Sequence, residues 1–234
     1  MNALHLAVIG DGKMGQLVRA LAMDQGIAVA AFLGRDAVLE AGINATTLNG
    51  ANVAIEFTQP DAAAANVRSC LAARCAVVCG TTGWDADRAA AEREVVAQGG
   101  ALLWAPNFSL GVHILTALVA DAARRASLAG GFDAHLIETH HTAKLDAPSG
   151  TARQLACAAE LASGAAVPIT SVRVGSAPGT HELVLDGAYE QLRLTHEARD
   201  RRVFALGALA AARWIIGRRG VFSLDDMLSS PGGS

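Results

Sequence analysis

A chain of 234 residues with a hydrophobic fraction of 52% is long enough for one large domain or two modest ones with real cores. A formal net charge of -3 and a pI near 6.1 provide no general attraction to nucleic acid or anionic membranes, so an anionic ligand has to be held by local cations and amides. The N-terminus has no basic region followed by an apolar core and a small-residue cleavage site, and no run of about 18 apolar residues escapes a charge or a glycine, which predicts a cytoplasmic protein.

The chain opens with an apolar strand candidate over residues 4–9, then Gly10-Asp11-Gly12-Lys13-Met14-Gly15, then a Leu- and Ala-rich helical pattern over residues 16–23. In a strand–turn–helix unit of this kind the first glycine permits the tight turn, the second lets backbone approach a pyrophosphate, and the third allows close helix packing. A second strand, residues 28–33, ends at Gly34-Arg35-Asp36. Dinucleotide folds usually place an acid there for the adenosine ribose, but no acid precedes Arg35. A guanidinium at this tip favours NADPH, while Asp36 one step later leaves NADH open.

Strands over 53–57, 76–79 and 101–104 alternate with Ala-rich helices over 60–73 and 85–98, which predicts an α/β, Rossmann-type, doubly wound parallel sheet. A ligand lies beyond the carboxyl ends of such strands. Those ends carry Phe57-Thr58, Gly80-Thr81-Thr82-Gly83 and Ala105-Pro106-Asn107-Phe108, small and polar groups suited to a nicotinamide and its ribose. Four cysteines, at 70, 75, 79 and 157, form no CxxC pair, and Cys75 and Cys79 read as small fillers of a buried strand.

Beyond Asn107 the alternation gives way to one helical stretch over 111–126, and then to the run Glu138-Thr-His140-His141-Thr-Ala-Lys144-Leu-Asp146-Ala-Pro148-Ser149-Gly150-Thr151. If residues 137–144 are extended, His140, Thr142, Lys144 and Asp146 share one face and His141 faces the other; a helix would instead pair His140 with Lys144 at i, i+4. Either geometry brings an imidazole and an ammonium to one small molecule. Pro148 disfavours helix at Ala147, and Ser149 or Thr151 can cap the helix over 152–162. The amides of Gly150, Thr151 and Ala152 would then attract a carboxylate. No HExxH or matched carboxylate pattern is present, so no metal site is expected.

Residues 172–174, 181–185 and 191–196 alternate polar and apolar, predicting a second α+β domain with a mixed or mostly antiparallel open sheet. The last stretches, over 204–217 and 224–228, are helical and apolar enough to return to the first domain. The expected organisation is 1–106 for the dinucleotide, 107–206 for substrate and oligomerisation, and 207–234 as the returning segment.

Nearly end to end, the chain resembles the 4-hydroxy-tetrahydrodipicolinate (dihydrodipicolinate) reductase family. The resemblance rests on Gly10-x-Gly12-x-Met14-Gly15, Phe57-Thr58-x-Pro60, Gly80-Thr81-Thr82-Gly83, Asn107-Phe108-Ser109, the central run, Arg173-x-Gly175, Gly179-Thr-His-Glu182 and His196-x-Ala198-x-x-Arg201-x-x-Phe204. It implies reduction by NAD(P)H of a cyclic imine dicarboxylate, formed as the 4-hydroxy substrate loses water, to tetrahydrodipicolinate in the diaminopimelate route to lysine. It implies His140 as proton donor/acceptor, Lys144 as proton donor, His141, Ser149, Gly150 and Thr151 as substrate ligands, and a homotetramer. Arg201 would help bind a carboxylate, although the charge run Arg199-Asp-Arg-Arg202 is equally a solvated face. The glycine turn is one residue shorter than in many members, and the loops over 34–50 and 164–173 are short. The competing readings are another NAD(P)-dependent oxidoreductase, such as an amino-acid dehydrogenase, and a non-catalytic dinucleotide sensor.

Overall fold

The computed structural model describes residues 3–229, divided into two compact units, one of residues up to Phe108 with those from Phe204 onward, the other Ser109–Val203. In the first unit, β1 (His5–Ile9), β2 (Ala28–Leu33), β3 (Val53–Glu56), β4 (Ala76–Cys79) and β5 (Ala101–Trp104) alternate with α1 (Lys13–Asp24), α2 (Arg35–Ala41), α3 (Pro60–Ala72) and α4 (Asp85–Ala97). All pair in parallel in the order β10-β5-β4-β3-β1-β2, where β10 is Gly220–Phe222. Both faces of the sheet are covered, so its strands are apolar throughout rather than alternating: Val53, Ala54 and Ile55 are all inaccessible. The order reverses at β1, which pairs with both β2 and β3, and the crevice at that switch point is where this architecture binds ligands.

Two elements of this unit escape the sequence reading. Helix α2 buries none of its seven residues, so no apolar period marks it. Strand β10 is three residues long and extends the sheet by pairing with Ala101–Leu103. It follows α7 (Arg202–Ile215), and α8 (Leu224–Ser229) comes after it. A Cβ on Gly207 would fall 1.7 Å from the Phe108 carbonyl oxygen, so α7 lies directly on the backbone that ends the first unit's main segment.

The second unit is a four-stranded mixed sheet in the order β7-β6-β8-β9, with β6 Phe132–His140, β7 Ile169–Arg173, β8 Thr180–Gly187 and β9 Gln191–Glu197. Strands β6 and β7 are parallel, joined through helix α6 (Gly150–Ser163); β8 runs antiparallel to both β6 and β9. Helix α5 (Leu110–Ala129) and α6 cover one sheet face, with Leu115, Val119, Leu155 and Ala159 packed on Leu136, Leu183 and Leu185. Each fully buried leucine contributes about 2 kcal/mol. Serines cap both helices: Ser109 accepts from the Val112 amide at 3.4 Å and Ser149 from the Ala152 amide at 3.1 Å.

Residues 137–144 follow neither of the two conformations considered for them throughout. Strand β6 stops at His140, because the Thr142 amide donates to Gly175 O at 3.2 Å and the Lys144 amide turns back to His141 O at 3.1 Å. His140, Thr142, Lys144 and Asp146 therefore share neither a strand face nor a helix. No helix among the described residues is long and apolar enough to cross a membrane.

Candidate active site

In the first unit the carboxyl ends of four strands are tied to one another. Gly10 adopts φ +105, and a Cβ there would lie 2.1 Å from Phe57 O, so only glycine lets the β1 turn lie against the end of β3. Gly15 brings α1 onto that turn, its missing Cβ 1.9 Å from Gly10 O. The Thr58 amide donates to the Thr81 hydroxyl at 2.8 Å, the Phe57 ring occupies the space a Gly80 side chain would need, and Phe57 meets Phe108 edge to face at 6.0 Å. Trp84 and Trp104 both donate to Thr81 O, at 2.9 and 3.0 Å. Ala105 is buried and its amide donates to Cys79 O, whereas Pro106 and Thr82 are exposed. Asn107 connects Pro106 to the buried Phe108.

Helix α1 starts at Lys13, followed by the half-buried Met14; its N-cap, Gly12, supplies no side-chain cap, so the first-turn amides suit a pyrophosphate. Arg35 is exposed and begins α2. The position before it is glycine for a reason invisible in the sequence: a Cβ on Gly34 would meet Asp11 Oδ2 at 2.5 Å. The glycine turn thus sends its own carboxylate to the tip of β2, where an acid appeared to be missing.

Sequence reasoning also missed a buried polar network beneath these loops. Glu56, inaccessible to solvent, accepts from the Thr58 hydroxyl, from Asn66 Nδ2 at 3.3 Å and from Cys79 Sγ at 3.1 Å. Burial, reinforced by Glu56, pushes the Cys79 thiol far up, and burial pushes Cys75 up to about 12, so both remain protonated and unreactive. The filler reading of the strand cysteines agrees with this, with a hydrogen-bonding duty added for Cys79.

In the second unit, register assembles the titratable groups. Glu138 on β6 stands opposite His181 on β8 and Ser171 on β7; His181 in turn stands opposite His196 on β9. His140, two residues after Glu138 and on the same face, stands opposite Arg173. Glu138 is wholly buried and accepts from His140 Nδ1 and, at 2.7 Å, from Arg173. Burial alone would raise this carboxyl, but the bonds from Arg173, Ser171 and His140 outweigh it and hold it at about 2. Arg173 also donates to Asp146 O at 2.5 Å and Lys144 O at 3.3 Å, fixing the loop that follows His140.

The His140 and His181 rings meet edge to face at 5.2 Å. His181 lies 3.3 Å from the Ser149 hydroxyl, and His196 lies 3.3 Å from that of Ser109. Each helix cap therefore touches one histidine of the sheet. Burial, with the His140 charge second, lowers His181 to about 4; burial lowers His196 as well. For His140, burial and the charges of Lys144 and Arg173 prevail over the opposing pull of Glu138, and its pKa is lowered. Lys144 Nζ holds Asp146 at 2.7 Å. His141 is half-buried just past the strand end, and Arg201 is exposed in the turn between β9 and α7. Ser149 takes the Ala152 amide, which removes that amide from the expected set of three anion-holding amides; Gly150 and Thr151 form the first turn of α6 beside it.

Donor atoms of Glu138, His140 and His181 lie within 4.8 Å of one another, which is close enough for a metal ion. The carboxylate is already shared between a guanidinium and an imidazole, and a divalent cation would have to displace both, so the donor set suits proton chemistry better.

Residues 4–108 match the family description "Dihydrodipicolinate reductase, N-terminus", and residues 111–228 match "Dihydrodipicolinate reductase, C-terminus". The chain belongs to the dihydrodipicolinate reductase family. Among its relatives, the 4-hydroxy-tetrahydrodipicolinate reductase of Christiangramia forsetii is 32% identical over 97% of this chain and 98% of that one. Those of Thiobacillus denitrificans and Rhodopseudomonas palustris are 34% and 35% identical at the same coverage. The fold is that of a dipicolinate-bound dihydrodipicolinate reductase from Paenisporosarcina sp. TG-14, with a TM-score of 0.82, 22% identity, and 95% of this chain and 98% of that one covered. Dihydrodipicolinate reductases are NAD(P)H-dependent oxidoreductases of the diaminopimelate route to lysine.

Proposed function

We propose that this chain reduces 4-hydroxy-tetrahydrodipicolinate, after loss of water, to tetrahydrodipicolinate, with the second unit binding the dicarboxylate and supplying the proton. The observation that carries this reading is the placement of His140, Lys144 and the Ser149-capped start of α6 within one short, ordered stretch. A reduced dinucleotide held by the first unit would supply a hydride for C4 of the ring. Electron density then moves towards the ring nitrogen and C3, and an acid has to protonate the enamine; His140 is the donor/acceptor and Lys144 a donor that also attracts a carboxylate. Gly150 and Thr151 hold a carboxylate at the helix start, the Ser149 hydroxyl caps that terminus, and His141 and Arg201 complete substrate binding.

Gly10, Asp11, Gly12, Lys13, Met14 and Gly15 would hold the pyrophosphate, and Arg35 the adenosine end, with NADPH favoured over NADH. Phe57, Thr58, Gly80, Thr81, Thr82, Ala105, Pro106, Asn107 and Phe108 would line the nicotinamide half. Membership of an amino-acid biosynthetic enzyme family supports a cytoplasmic enzyme, and the open face of the second unit's sheet, with Val172 exposed, supports pairing of sheets in a homotetramer.

A coupled assay tests the reading. Purified protein is expected to oxidise NAD(P)H when given the condensation product of aspartate semialdehyde and pyruvate, and His140→Ala and Lys144→Met are each expected to lower kcat about 100-fold or more. Cofactor affinity, read from quenching of Trp84 and Trp104, should persist in both variants. Folded wild-type protein without turnover on that substrate refutes the assignment.

A further inference from the structure

We infer that Arg173 and Glu138 are positioning residues for proton transfer: the guanidinium clamps the carboxylate, the carboxylate takes the His140 Nδ1 proton, and His140 Nε2 is thereby dedicated to the substrate. This rests on the role proposed above for His140 and adds two residues that act through it.

Local geometry makes the arrangement hard to avoid. Residues two apart on a strand share a face, so Glu138 and His140 are neighbours by periodicity, and parallel register sets Arg173 beside them from β7. The carboxylate is inaccessible to solvent, and its partners differ in kind. Arg173, at 2.7 Å, cannot lose its proton and so keeps Glu138 an anion; an anionic carboxylate at Nδ1 requires the proton to reside on Nδ1 in the neutral ring. Only Nε2 is left to gain or give a proton.

The surroundings of Nε2 agree with that duty. It faces Gly179, where a Cβ would come within 3.1 Å, and the backbone φ of +143 is one that side-chain-bearing residues rarely adopt. With no side chain at 179, the space beside Nε2 is not taken by a Cβ. The charged and titratable groups facing His140 are Glu138 on its own strand, Arg173 from β7, His181 from β8 and Lys144 from the following loop. Two of these are cations, and burial keeps His181 neutral near neutral pH. Glu138 is thus the one anion among them that favours the imidazolium, and without it His140 would be a poor acid in the pH range where the enzyme works.

The test uses the full-length protein. Glu138→Gln is expected to reduce kcat on the order of 100-fold, with NADPH affinity unchanged, and to move the alkaline limb of the kcat–pH profile down by about one unit or more. A reduced or normal kcat with an unmoved alkaline limb overturns the proposal. Should that variant fail to fold, the wild-type enzyme decides. In a proton–nitrogen-15 correlation spectrum at about pH 8, with His140 assigned by loss of its signals in His140→Asn, the Nδ1-protonated ring is expected and an Nε2-protonated ring refutes the arrangement. Absence of wild-type turnover would sink the activity reading alone, because the spectrum reports the ring independently of substrate.

Discussion

His181 makes the stability of the second unit depend on pH in a way that can be measured. It is 5% exposed, its Nδ1 has no hydrogen-bond partner among the described residues, and its pKa falls from 6.5 to about 4 because burial, and then the His140 charge, penalise the imidazolium. The native state holds it neutral, while the unfolded chain takes up a proton below about 6.5. Its contribution is therefore complete above that value and is lost as pH falls towards 4. The full difference corresponds to about 3 kcal/mol, of which about 2 kcal/mol disappears between about pH 7.5 and 5.

The perturbation is His181→Asn, and the measurement is the opening free energy of β6 and β8 by amide hydrogen exchange at those two pH values. Asparagine cannot titrate, so the variant should lose about 2 kcal/mol less than wild type over the interval, whatever its absolute stability. Comparing slopes cancels the titrating groups that His181 does not touch, and His140 is the coupled exception. Identical slopes in the two proteins would refute the claim that this ring is held neutral by its burial.

At the cofactor tip, Asp11 and Arg35 should pull in opposite directions. Asp11→Asn is expected to raise the ratio of NADPH to NADH efficiency (kcat/KM) by about tenfold by removing an anion from beside the 2′-phosphate, and Arg35→Ala to lower it by a similar factor; initial-rate kinetics with both cofactors checks this, and a ratio unmoved by either change removes both residues from specificity. Gly207→Ala should destabilise the first unit by about 2 to 3 kcal/mol, because the added methyl meets the Phe108 carbonyl in a packed interface. Urea unfolding followed through Trp214, on the same helix, measures it.

The first unit was legible in the sequence because its signals are local. A glycine turn after an apolar strand, and Ala-rich helices between short apolar runs, announce a parallel sheet through periods of two and 3.6 that need no knowledge of distant residues. The Ser149 cap is equally short-range. Helix α2 and β10 left no trace, the one because it buries nothing, the other because three residues cannot display a period.

What tertiary structure alone decided is who faces whom. Pairing of β6 with β7 and β8 brings Glu138 to Arg173, 35 positions away, and to His181, and the Gly175 carbonyl ends β6 where its own sequence would let it continue. The same holds at the adenosine end, where Gly34 looks like a missing acid until Asp11 is seen to occupy its space. Residue types and spacing state which chemistry a chain can perform; strand register, a contest among many long-range pairings settled by burial, determines which of those groups meet.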